Sequence, residues 1–345
     1  MSSLKDRKEY KITLVKNCKL DRWRLQSIKT GTEDRQREKL KATLEYFGKL
    51  DLYPELEKQI LETPNEIELS SDIERLAQQL KEDIPDYINE NDNVKFQITE
   101  LIFLPLPNAD GYCLNQDTAG NQLDGYIVCL NEGLWICSQL LGKAFVLENM
   151  QGDFAEFKSS GSDCFELAIS HFLTPRGSNA NEVFFGHLPP QIDGAATAAQ
   201  SSVAIIILQF VTLHEIGHIA RGDFSLMNTY SFHIANSNKN EIEYSHIEQY
   251  WEAEYNADIF AIKSICEHSK ADINRWANFI TIWILFEWLI EVERKNGKPI
   301  CNLHPPPSLR LKNLKTWMNI NYPPASDALL YIEITHNIIN NWKNP

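Results

Sequence analysis

The sequence predicts an α+β protein in which a small sheet lies between mostly helical N- and C-terminal parts. Three observations carry this reading. Between residues 20 and 90 the chain is strongly charged, and Leu40, Leu44, Phe47 and Leu50 recur at three- and four-residue spacing, as on an amphipathic helix. From Asn93 the pattern changes to β-branched and aromatic runs, VKFQITELIFLPL and then GYIVCL. After Gly194 the spacing is again helical almost to the last residue.

Taken in order, the two apolar runs are separated by the turn-rich stretch PNADGYCLNQDTAGNQLDG, so this part reads as strand, loop, strand. GYIVCL passes directly into NEGLWICSQLLGKAF, where Leu134, Cys137, Leu140 and Leu141 share one face of a helix. The mixed stretch that follows holds a candidate strand near Phe154 to Phe157, while Cys164 to Phe172 reads equally as helix. Two interruptions break the helical remainder: the polar segment Asn228 to Asn240 and the sequence NGKPICNLHPPPS. The change of composition near residue 90 divides the chain into a charged helical region, 1–92, and a second domain, 93–345.

Bulk composition narrows the function. With 43% hydrophobic residues the chain can bury a sizeable core. Its 33 Lys and Arg against 47 Asp and Glu give a net charge of -14, which argues against nucleic acid and anionic membranes as partners and favours basic or neutral ones. Seven scattered cysteines without a CxxC pair are expected to be reduced thiols in a cytoplasmic protein. The charged beginning of the chain has no apolar signal run. Ala195 to Leu213 and Ala277 to Val292 are apolar enough to suggest membrane spans. The first, however, is diluted by five polar residues and the second is short and carries Glu287, so both are expected to be core helices, with no stable membrane insertion. Trp276, Trp283 and Trp288 likewise read as core.

The chemistry is concentrated in His214-Glu215-Ile216-Gly217-His218, an HExxH sequence preceded by the apolar run VAIIILQFVTL. On a helix, positions i and i+4 share a face, so His214 and His218 can both aim at one metal ion with Glu215 beside it as general base. The flanking Leu213, Ile216 and Ile219 would bury these polar groups, and buried polar groups need partners. A third ligand is expected from YWEAEYNADIFA, where Glu254 can coordinate and Asp258, one turn on, can accept a hydrogen bond from the outer nitrogen of a ligand histidine. Glu252 competes for the ligand role. Asp223, five residues beyond His218, reads as an acidic residue in the loop after the helix ends at Gly222.

HEIGH, followed by ExxAD at Glu254, Ala257 and Asp258, and then by HPPxxxR at His304 to Arg310, resembles the gluzincin peptidases, in particular their CaaX-protease-like and HtpX-like core. Size and the run HEIGHIARGD resemble the soluble phage-exclusion Lit-type peptidases. The resemblance implies a zincin-like catalytic domain, one Zn2+ per chain held by His214, His218 and Glu254, and a protein or peptide substrate. It also implies that His304 and Arg310 lie near the site, where they would bind substrate or stabilise the oxyanion; a Pro-rich turn opening a helix at Ser308 explains the same residues structurally. The expected activity is that of a selective cytoplasmic endopeptidase, regulatory or phage-defensive; in a variant of this reading the helical N-terminal region covers the cleft until an activating partner arrives. Two alternatives remain at this level: a zinc-stabilised interaction protein without catalysis, and a zinc hydrolase of a small amide or ester.

Overall fold

The computed structural model describes residues 77–82, 84, 98–104, 109–116, 122–149, 161–173, 194–223, 244–299 and 304–343. They are mostly helical with one three-stranded mixed sheet, an α+β arrangement. In chain order they form β1 (Ile98–Leu104), β2 (Gly111–Gln116), β3 (Gln122–Asn131), α1 (Glu132–Asn149), α2 (Gly161–Leu173), α3 (Gly194–Arg221), α4 (Tyr244–His268), α5 (Asp272–Asn296), α6 (Pro307–Asn321) and α7 (Ser326–Lys343). The expected strand at Phe154 to Phe157, the segment Asn228 to Asn240 and the division near residue 92 lie outside the described residues. Ala77, Leu80 and Ile84, just before that division, belong to the same buried cluster as the sheet.

The sheet has the order β1-β3-β2, with β1 parallel and β2 antiparallel to β3. Leu101 pairs with Val128 and Phe103 with Leu130, and all four enter the core. The stretch PNADGYCLNQDTAGNQLDG, expected to be loop throughout, instead contains β2, in which Gly111, Tyr112, Cys113 and Leu114 face Leu130, Cys129, Val128 and Ile127. Turn-forming residues crowd both ends of this six-residue strand, and only the ladder to β3, a long-range feature, reveals it.

β3 runs into α1 without a break, and α1 packs on both α2 and α3. Cys164–Phe172, ambiguous in sequence, is helical within α2. The 28-residue α3 includes a segment, Ala198–Arg221, long and apolar enough to cross a membrane, but 67% of its apolar window is buried inside the protein. α5 is the other central element: Trp276, Trp283 and Trp288 are all buried, and Trp288 meets Phe172 of α2 edge to face at 5.3 Å. It ends at Gly297, whose left-handed backbone (φ 67°) lets its N–H reach Glu293 O. Pro307 then opens α6, since a missing N–H is harmless in the first turn. The five described cysteines are unbridged.

One close approach fixes α1 against α3. A Cβ at Gly142 would stand 2.5 Å from the carbonyl oxygen of Gln200, a backbone atom that cannot swing aside. The contact is reinforced by Gln200 Nε2 donating to Gln139 Oε1 at 2.9 Å. Gly142→Ala is therefore expected to lower unfolding stability by about 1–3 kcal/mol through overpacking, outweighing the roughly 1 kcal/mol by which alanine favours a helix. Denaturant unfolding of the two chains measures this directly.

Candidate metal centre

HEIGH occupies the last two turns of α3, whose end is set by Gly222 in the left-handed conformation (φ 74°). Gly217, inside the motif, serves a different purpose. A Cβ there would lie 3.0 Å from the Cα of Ala257 and 3.2 Å from the Cβ of Phe260, so glycine on α3 and alanine on α4 let the two helices approach closely. That approach carries Glu254, one turn before Ala257, up to the two histidines.

The result is a triangle of electron-pair donors. His214 Nε2 and His218 Nε2 are 3.2 Å apart, His214 Nε2 is 3.4 Å from Glu254 Oε2, and His218 Nε2 is 3.3 Å from Glu254 Oε1. The rings stand perpendicular, with centroids 4.7 Å apart. The outer nitrogens face carboxylates: His214 Nδ1 lies 3.0 Å from Asp258 Oδ1, and His218 Nδ1 lies 3.2 Å from Asp223 Oδ2. Were each Nδ1–H to donate outward, both Nε2 lone pairs would face one another and Glu254, a set of donors that a metal ion can share. With one donor atom taken from each residue, the three lie within 4.8 Å of one another, close enough to share one ion through metal–ligand bonds of about 2.0–2.1 Å. All three residues are buried, and this group can hold a metal ion.

Arg310 braces the triangle from behind. Its Nε and Nη2 donate to the two oxygens of Asp258 at 2.8 and 2.6 Å, its Nη1 is 3.2 Å from Glu254 Oε2, and its guanidinium lies over the Phe286 ring at 5.3 Å. The Pro-rich turn before α6 delivers it, because Pro307 begins the helix and Arg310 follows within the first turn. His304 sits differently. Its side chain is about half exposed, with Nε2 3.7 Å from Glu254 Oε1, so of the two residues taken from the HPPxxxR motif it is the one that solvent reaches. Glu252 is exposed and stands apart from the ligand group.

Charge follows this geometry. Burial opposes ionisation of Glu254 and Asp258, but Arg310 and the histidines overcome it and hold both below the usual carboxylate range. Burial would lower both histidines; Glu254 and Asp258 raise His214, while Asp223 and Glu254 lift His218 to about 10. In His304 burial prevails and lowers the value. Burial pushes Glu215 up to about 7, against the two neighbouring histidines, with Glu254 and Asp110 adding to the rise. Half-buried Glu215 is thus poised close to neutrality beside the ligands.

Three neighbours were not assigned to the site from sequence. Asp223 was read as a loop acid; the turn at Gly222 folds it back, with its N–H on His218 O at 3.0 Å, so that its carboxylate reaches the ring. Its signal was its place directly after a helix-ending glycine. Asp110 immediately precedes β2, the strand hidden by turn residues, and Cys113 lies within it, its thiol pushed up by burial and by the nearby Glu215 carboxylate. Gly111 of that strand rests on Val211, one turn before Glu215 on α3.

Residues 186–329 match a family model described as Peptidase U49, a span that takes in α3 to α6, both histidines, Glu215, Asp223, Glu254, Asp258, His304 and Arg310. The match supports a peptidase, hence a hydrolase of protein or peptide substrates. No curated protein and no solved structure matches the chain.

The outer carboxylates should tune metal affinity without being ligands. Asp223→Asn and Asp258→Asn are each expected to weaken metal binding about 10–100-fold, read by competition with a chromogenic chelator. Arg310→Met leaves Asp258 and Glu254 uncompensated in the interior and is expected to cost about 3–5 kcal/mol in denaturant unfolding, part of which Asp258→Asn on the same chain should restore.

Proposed function

We propose that this chain is a zinc-dependent endopeptidase of the gluzincin type, with a zincin-like site in which His214, His218 and Glu254 hold the metal and Glu215 is the general base. The observation that carries the reading is the His214–His218–Glu254 triangle, with edges of 3.2–3.4 Å and both outer nitrogens held by carboxylates. The peptidase family match over the same residues supports the reaction class. Two histidines and one carboxylate form the ligand set in which catalytic zinc keeps an open position.

A zinc ion held by His214, His218 and Glu254 would supply a Lewis acid to polarise a scissile carbonyl and lower the pKa of a water. Glu215 accepts the proton from the attacking water and passes it to the leaving amine, a role that suits a carboxyl raised to about 7. His304, half exposed next to Glu254, is in position to donate to the oxyanion, whereas Arg310 fixes the ligands from behind. Among the described residues β2 is an edge strand, with one side on β3 and Gly111 against α3 near Glu215, so an extended peptide would add to its other side. We place the enzyme in the cytoplasm, acting selectively on a protein substrate.

Glu215→Gln removes the base while keeping the shape. After both chains are shown to fold and to bind zinc equally, new protein N-termini in cells expressing wild type are compared with those in cells expressing the variant. A small set of cleavages confined to wild type is expected. Identical N-termini in the two cell populations would count against an endopeptidase and turn attention to a small amide or ester.

A further inference from the structure

Behind the ligands the side chains close a circuit of contacts that passes through α5, a helix that supplies no member of the ligand group. His214 Nδ1 meets Asp258 Oδ1 at 3.0 Å, and the two Asp258 oxygens accept from Arg310 Nε and Nη2 at 2.8 and 2.6 Å. The Arg310 guanidinium lies over the Phe286 ring of α5, 5.3 Å from its centre. Phe286 in turn meets Phe210 edge to face at 5.8 Å. Phe210 stands one turn before His214 on α3, and the two rings are 6.4 Å apart, so the circuit returns to the ligand from which it began. Both phenylalanines are almost wholly buried. The cation that Phe286 carries is not a remote one: Arg310 Nη1 is 3.2 Å from Glu254 Oε2, and its Nη2 is 3.5 Å from His214 Nδ1. A guanidinium within about 6 Å of a ring centre is attracted by the negative face of the ring, and more strongly where water is excluded. The two bonds to Asp258 fix the plane of the fork, and the ring beneath it fixes its height.

We propose that Phe286 is a positioning residue of the metal centre: its ring face holds the Arg310 guanidinium where it orients Asp258, and through Asp258 the His214 imidazole, for metal binding. This deepens the proposed reading and rests on its metal ion, not on the reaction that follows. Phe286 touches neither metal nor substrate and acts through Arg310 alone. A core residue whose work is packing needs only volume, which leucine or methionine supplies nearly as well. A residue that seats a cation needs the electrons of the ring face, and these can be withdrawn without emptying the space.

Fluorination separates the two roles, because each fluorine draws electron density from the ring face while the side chain stays apolar and nearly unchanged in size. Full chains carrying mono-, di- or trifluorinated phenylalanine in place of Phe286 are made by nonsense suppression. Their Zn2+ affinity is read by competition with a chromogenic chelator, and the visible spectrum of the Co2+-loaded chains reports ligand geometry. Affinity is expected to fall stepwise with each fluorine, by roughly three- to tenfold over the series, with the Co2+ bands shifting in the same order. Phe286→Leu is expected to lose at least as much. The same series at Phe279, equally buried on α5 and edge to face with Trp276 at 5.5 Å, is expected to leave Zn2+ affinity unchanged. Affinity that stays level or rises across the Phe286 series, or that falls equally in the Phe279 series, overturns the positioning role. Failure of the unsubstituted chain to bind Zn2+ overturns it together with the metal centre. Cleavage of a peptide pool by the zinc-loaded chains is scored separately: graded affinity without cleavage counts against the peptidase reading and leaves the role of Phe286 standing, and cleavage with level affinity does the reverse.

Discussion

Two imidazole nitrogens and the two oxygens of one carboxylate meet in a dry interior at 3.2–3.4 Å, and they repel one another unless a proton or a metal cation lies among them. Much of the C-terminal half serves to hold that arrangement. α3 provides the histidines at its end, α4 the glutamate, and α6 the arginine that neutralises the surrounding carboxylates, while α5 packs behind with Phe286 beneath Arg310. The chain His214–Asp258–Arg310 joins three helices through charge-assisted bonds, so the ligand geometry and the helix packing are specified together. Gly217 and Ala257 are the small residues that permit this, since any larger pair would separate α3 from α4 before the ligands could meet.

This explains which parts of the site were legible in the sequence. His214, Glu215 and His218 are local, because i, i+4 spacing on a helix is a property of the segment itself. Glu254 and Asp258 were legible for the same reason, and the small residue between them, Ala257, signalled a close helix contact. Asp223 was not, because its role depends on the left-handed turn at Gly222 reversing the chain, and a glycine before an acid is ambiguous until the backbone is seen. The contacts of Arg310 also depend on tertiary geometry: its motif put it near the site, and the fold turns it towards Asp258 rather than outward.

The sheet repeats the lesson. β1 and β3 are buried runs of β-branched and aromatic residues and announce themselves, whereas β2 has a short apolar centre between turn residues and becomes a strand because β3 offers it a ladder. It is also the strand that brings Asp110 and Cys113 to Glu215. The helices were plain by contrast: α5 carries its aromatic core throughout and stops where a glycine can take a positive φ.

The position of the motif on its helix has an electrostatic result of its own. Peptide dipoles aligned along 28 residues of α3 sum to roughly half a negative charge at its C-terminal end, within a turn or so of the last residues. His218 lies three residues before that end, and His214 one turn further in. The backbone of α3 therefore contributes a field that favours a dication at the place where its side chains converge, and the anion-attracting end of the same helix is kept almost its whole length away.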